Sequence, residues 1–261
     1  MFRLLRRNRT LYPWVNDLLL NVQWDQSVAT LSYLYGIQDL REFQFMQNFL
    51  SRSDVFVDMG GNIGTYSIFA SGVIGCQVHT FEPDVETSAI LRKNVRLNGL
   101  ENLITVHDMA LGSKIGETEF SVGLKAKNRI LEENELATRN TLVKISTLDS
   151  LGLDGVSIIK IDIEGNELSA LKGSVETLNS ETLFCLIIEM NLNPKDSHDI
   201  EIFKYVSSFG FSPIRYSSDG SWEYSSYLQN SDWNTIFVRG DLDRKRNLQL
   251  EKIRLFGRLV L

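Results

Sequence analysis

Between residues 54 and 239 the chain alternates two apolar patterns. Short β-branched runs occupy 55–58 (VFVD), 78–82 (VHTFE), 103–107 (LITVH), 156–162 (VSIIKID), 183–189, 211–216 and 235–239 (TIFVR). Between most of them, apolar positions recur every three to four residues, as in 84–97, 166–178 and 199–209. In 166–178 this puts Leu168, Leu171, Val175 and Leu178 on one helix face. Near-continuous apolar strands separated by helices predict an α/β fold, a mainly parallel sheet covered on both faces. No helical pattern separates the last two runs, so they are expected to pair antiparallel at one edge.

Residues 112–147 break the alternation. Two strand-like stretches, TEFSVGL and LVKISTL, flank a polar middle, ENELATRN. This predicts a β-type insertion with a mobile tip, which reads as a substrate lid, an edge hairpin, or both. Upstream, Ile37, Leu40, Phe43, Met46 and Phe49 fall at helical intervals, after a Trp- and Tyr-rich stretch that reads as a helical lead-in covering something. The expected organisation is a helical extension at 1–50, a central domain at 51–240 and a basic amphipathic tail at 241–261.

Charge refines this picture. The 261 residues carry a net charge of −6, but residues 1–9 hold four Arg and residues 244–261 hold six Lys or Arg against one Glu. The segment between them therefore has a balance of −15, which argues against nucleic acid as the main substrate. The basic ends read as solvated helix faces, with membrane-surface contact as the alternative. In the tail, Leu248, Ile253, Phe256 and Leu259 suggest an amphipathic helix packing on this domain or on a second copy, as in a homodimer. Cys76 and Cys185 lie in or beside apolar stretches and read as buried free thiols. With no secretory pattern and no run long enough to span a membrane, the expectation is a cytoplasmic protein.

Ligands of an open parallel sheet bind at the carboxyl ends of the strands. There the sequence places Asp58, Glu82, Asp108, Asp162 with Glu164 close behind, and Glu189. Six carboxylates on one rim repel a pyrophosphate and attract a cation. The turn after the first strand is D-x-G-G-x-x-G, from Asp58 to Gly64 with Asn62 inside, and does not match G-x-G-x-x-G. S-adenosylmethionine meets these conditions, since it joins a sulfonium, an ammonium and a carboxylate without phosphate. Asp58 then lies near the cationic end and Glu82 takes the ribose diol. Asp108, Met109 and Ala110 fall where the adenine rests, and the helix after Gly64 offers its N–H groups to the carboxylate.

The ordered series VFVDMGGNIGTYS, HTFEPD, NVRLNGL, HDMALG, STLDSL, IIKIDIEGNELSALKG and LIIEMN closely resembles the FkbM family of S-adenosylmethionine-dependent methyltransferases, over about residues 54–191. Gly61 stands where the family commonly has alanine. The resemblance implies a seven-stranded Rossmann-like class I methyltransferase fold and O-methylation of a hydroxyl on a sugar, glycan or secondary metabolite. By motif position it implies cofactor contacts from Asp58, Gly60, Asn62, Gly64, Glu82, Asp108 and Ala110. Gly61, Pro83, Met109 and Asp162 complete the expected cofactor-binding set.

An alcohol acceptor must lose a proton, so a base is expected beyond the methyl, at the ends of the fourth and fifth strands. Asp162, Glu164 and Glu189 qualify, with Glu164 equally suited to capping the following helix. Glu167 reads as a solvated helix residue, His79 and His107 as satisfied core residues, and His198 as a less favoured base. A catechol-type alternative uses Mg²⁺ held by Asp162, Glu189 and Asn191; the metal-independent version is preferred. Trp222, Tyr224, Tyr227 and Trp233 are candidates for stacking on a sugar face or for packing on the sheet edge. The rival readings are an NAD-dependent oxidoreductase and a non-catalytic S-adenosylmethionine-binding protein.

Overall fold

The structure is a computed structural model. It describes residues 9–23, 39–121, 128–131, 140–190, 196–217, 219–225, 234–242, 254–255 and 258–259. In chain order the elements are β1 (Arg9–Pro13), β2 (Leu19–Gln23), α1 (Leu40–Phe49), β3 (Val55–Met59), α2 (Thr65–Phe69), β4 (Gln77–Phe81), α3 (Val85–Leu97) and β5 (Ile104–His107). There follow β6 (Ala110–Leu111), β7 (Gly116–Ser121), β8 (Asn140–Ser146), β9 (Val156–Ile161), α4 (Glu167–Lys172), α5 (Val175–Asn179), β10 (Cys185–Glu189) and α6 (Ser197–Ser208). The last are β11 (Ser212–Tyr216), β12 (Trp222–Tyr224), β13 (Asn234–Val238), β14 (Arg254–Leu255) and β15 (Arg258–Leu259).

Eight strands form the central sheet in the order β12-β11-β13-β10-β9-β3-β4-β5, one more than expected. The five from β10 to β5 run parallel, and β13 lies antiparallel to both β10 and β11. The short β12 adds the eighth strand at the edge. Strand order reverses between β3 and β9, which opens a crevice at their carboxyl ends.

Alternation along each strand divides the core in two. Phe56, Val78, Ile158 and Ile187 face α1, α2 and α3. Val57, Ile159, Leu186 and Phe237 face α4, α5 and α6. The helix expected over 166–178 is broken into α4 and α5 at Gly173. A Cβ there would stand 2.0 Å from the Gly112 carbonyl oxygen, so the close approach of that loop sets the break.

Two expectations about the ends need correction. The lead-in begins with an antiparallel β1–β2 hairpin rather than a helix, and only α1 keeps the expected helical pattern. Alternation in the sequence did not reveal the hairpin because side chains of α3 hold it. Asn98 Oδ1 accepts from Leu19 N at 2.7 Å, and Asn94 Oδ1 accepts from Asn21 N at 2.7 Å. At the other end, β14 and β15 pair as a short hairpin where an amphipathic helix was expected. The rest of the basic tail lies outside the described residues.

The insertion is β-type as expected. β8 pairs antiparallel with β7 and parallel with β6, while most of the polar middle lies outside the described residues. Both cysteines are buried and free. Among the described residues no helix is long and apolar enough to cross a membrane.

Candidate active site

A cavity of about 360 Å³ opens at the β3/β9 crevice. Its first wall is the turn after β3. Gly60 N and Gly61 N donate to the Phe81 carbonyl at 3.0 and 2.9 Å, which bends the chain sharply away from the sheet. Gly60 has φ +85°, and a Cβ there would lie 1.9 Å from the Asp162 carbonyl oxygen. The turn after β3 and the loop after β9 thus touch backbone to backbone, and only glycine permits it.

Asp58 is 1% exposed, and its Oδ2 accepts from Ser67 Oγ at 2.6 Å. Its Oδ1 is buried with no partner. Burial raises the carboxyl's pKa, opposed by Lys160 and Ser67. Glu82, at the end of β4, accepts from Asn62 N at 3.0 Å and Asp84 N at 2.9 Å. Burial outweighs these bonds and pushes it up to about 7.

The opposite wall is built on β9 and β10. Lys160, 3% exposed, donates to Asp162 Oδ2 at 2.7 Å and lies 4.6 Å from the centre of the Tyr66 ring. Burial works to lower the lysine's pKa, but Asp162 and Asp58 together raise it. Burial also opposes the charge on Asp162; Lys160 and a hydrogen bond from Glu189 overcome it and hold that carboxyl below its usual range. The cost falls on Glu189, pushed up to about 9 by burial and by Asp162. Asp162 and Glu189 therefore titrate as a pair, with Asp162 favoured as the ionised member. Glu164 completes the group, and one oxygen from each of Asp162, Glu164 and Glu189 lies within 4.8 Å of the others.

Five of the six rim carboxylates thus border one cavity: Asp58, Glu82, Asp162, Glu164 and Glu189. Gly60, Gly61, Asn62, Pro83, Met109 and Ala110 line it as well. Asp108 stands apart. Its side chain bonds Ser88 and pairs with Arg92 at 2.7 Å, anchoring the end of β5 to α3. Gly64 serves the turn, with φ +96° at the start of α2.

Glu167 departs from its expectation of solvent exposure. It is 3% exposed and accepts from Gly165 N at 2.9 Å and from His198 Nε2 at 3.1 Å. Glu167, rather than Glu164, ties down the loop after β9, and His198 is drawn to it instead of lining the cavity. His79 and His107 hydrogen-bond each other at 3.1 Å. Asn191, Tyr227 and Trp233 lie outside the described residues. Trp222 packs against the core, with the exposed Tyr224 edge-on to it.

Several lining residues escaped the sequence reading. Lys160 had a signal, as the one charge inside an apolar strand run. Trp14, Asp39, Phe43 and Tyr66 had none beyond the aromatic-rich lead-in, yet they close the far end of the cavity. There Tyr66 donates to Asp39 Oδ2 at 2.9 Å.

The cavity suits S-adenosylmethionine. The orphaned, buried Asp58 Oδ1 awaits a donor or cation, and among the described lining residues Lys160 is the only cation and is already paired. A phosphate-bearing cofactor has no counter-charge here.

The chain resembles known proteins in sequence and in structure. The family model for the methyltransferase FkbM domain matches residues 58–213. The hexuronic acid methyltransferase AglP of Haloferax volcanii is 26% identical over 177 residues, 65% of this chain and 72% of the relative. Among solved structures, TYW2 of P. horikoshii in complex with MeSAdo aligns with a TM-score of 0.46 and 12% identity, over 88% of this chain and 71% of that one. The precorrin-6y C5,15-methyltransferase of Geobacter metallireducens aligns with a TM-score of 0.44 and 12% identity, over 77% and 86%.

Proposed function

Since the chain belongs to the FkbM methyltransferase family and is an S-adenosylmethionine-dependent methyltransferase, we propose that its acceptor is a sugar hydroxyl and that Asp162 takes the proton. The fold is the Rossmann-like class I arrangement. Family membership displaces the oxidoreductase and non-catalytic readings. The relative from Haloferax volcanii, a hexuronic acid methyltransferase, supports a sugar as the acceptor class.

The observation that carries the chemistry is the Lys160–Asp162–Glu189 group at the carboxyl ends of β9 and β10. When bound, S-adenosylmethionine supplies an electrophilic methyl group. The chain orients the acceptor oxygen, excludes water and receives the hydroxyl proton. An oxygen forming a bond to carbon becomes strongly acidic, so a carboxylate of ordinary strength suffices as base. Asp162 is that carboxylate, its ionised form favoured by Lys160 and by the hydrogen bond from Glu189. Asp58 and Glu82 would hold the cofactor, the unpartnered Asp58 oxygen being available to its positive end.

Asp162→Asn is expected to lower kcat by about 100-fold or more while calorimetry shows cofactor binding within a few-fold of the parent. Glu189→Gln keeps an N–H to donate to Asp162 and should retain turnover within about tenfold. A fully active Asp162→Asn enzyme would remove Asp162 from the mechanism.

The close approach of Asp162, Glu164 and Glu189 also favours a second reading, a Mg²⁺ site. A hydrogen bond between Asp162 and Glu189 brings those two together without requiring an ion. Turnover is therefore expected to survive exhaustive chelation. Loss of activity restored by Mg²⁺ would establish the metal reading instead.

A further inference from the structure

We infer that the acceptor sugar is uncharged at the ring that enters the cavity, a hexose-type hydroxyl donor rather than a uronic acid. The inference rests on the sugar-methyltransferase reading and narrows it.

Beyond the residues assigned to the cofactor, the cavity is lined by Asp39, Asp162, Glu164 and Glu189, with Lys160 as the only cation among the described lining residues. Lys160 is fully engaged, 2.7 Å from Asp162 and stacked over Tyr66. A sugar carboxylate entering this space meets several like charges and, among the described lining residues, no spare cation. Repulsion from one carboxylate at a partly desolvated site is enough for discrimination of about tenfold or more.

Neutral hydroxyls suit the wall for the converse reason. Carboxylate oxygens accept hydrogen bonds and, when ionised, donate none, so a surplus of them selects donors. Bonds from O–H groups to charged acceptors are among the stronger ones. Trp14, Asp39 and Phe43 all precede the matched segment 58–213, so this part of the cavity wall belongs to the chain's own extension. Acceptor charge is therefore free to differ from that of the hexuronic acid methyltransferase relative.

The test compares one glycan pool before and after chemical reduction of its uronic acids to hexoses, which keeps linkage and ring stereochemistry. Each pool is incubated with the full-length enzyme and methyl-labelled S-adenosylmethionine, and cofactor binding is followed separately by calorimetry. Label is expected in the neutral fraction of the untreated pool, and the uronate-rich fraction should gain about tenfold or more after reduction. Asp39→Asn should narrow that ratio while cofactor affinity holds. Label confined to uronate-bearing glycans and abolished by reduction would overturn the inference. No label in either pool, with the cofactor bound, would sink the sugar reading itself.

Discussion

Lys160 shows how one residue organises the site. A lysine inside a buried strand is costly unless its charge is matched, and here Asp162 sits at 2.7 Å with Asp58 and Asp39 nearby. Replacing it with methionine keeps the volume and removes the charge. Lys160→Met should lower stability by about 3 kcal/mol in chemical unfolding, because buried carboxylates lose their counter-ion. It should also raise the pKa of Asp162. Since the base works ionised, the acid limb of kcat must then move to higher pH. A variant with an unshifted limb would show that Lys160 is structural only. The same residue marks a boundary of sequence reading. Its exception to an apolar run was visible, but its partner two residues on, across the strand end, became clear only in three dimensions.

At the scale of elements, the β3–α2 turn and β4 are cut to fit each other. A Cβ at Gly61 would lie 2.0 Å from Thr80 Oγ1, a hydroxyl buried without a partner. Alanine, common at this position in the family, therefore does not fit beside threonine. Gly61→Ala is expected to cost about 2 kcal/mol and to weaken cofactor binding. Adding Thr80→Ala should recover most of both, giving a coupling energy of about 1 kcal/mol or more in a double-mutant cycle. Additive effects would mean that the turn relaxes elsewhere. A similar fit explains the hairpin. Asn94 accepts from Asn21 N and donates to the Ile63 carbonyl at 2.9 Å, so one side chain links the N-terminal extension to the cofactor turn.

Across the whole molecule, buried acids give the ligand-free protein an unusual pH response. Glu42 and Glu82 are each raised from 4.5 to about 7, and Glu189 to about 9, in each case chiefly by burial. A carboxyl with a raised folded pKa binds more protons folded than unfolded. Its contribution is present below the unfolded value and is lost as pH rises to the folded one. His107, lowered to about 4 by burial, works the other way between that value and 6.5. Three acids outweigh it above pH 5. The thermal midpoint of the ligand-free protein should therefore fall from pH 5 to pH 8, and saturating S-adenosylmethionine should reduce the fall by favouring ionised Asp58 and Glu82. A midpoint rising over that range would contradict the burial of these groups.

By itself the sequence determined the layered α/β order, the strand-end carboxylates and the glycine turn. Each follows from local periodicity or from adjacency to a strand end, and both are properties of neighbours in the chain. Five of the six acids meet at one cavity because parallel strands bring their carboxyl ends to one edge. Tertiary structure decided the rest. Asp108 turned to Arg92, Glu167 was buried under the β9 loop, and Asp162 came to lie between Lys160 and Glu189. The extension folded as a hairpin and brought Trp14 to the cavity wall, while α1 and the residue before it brought Phe43 and Asp39. Those outcomes depend on distance and burial between segments far apart in the chain, which no local pattern encodes.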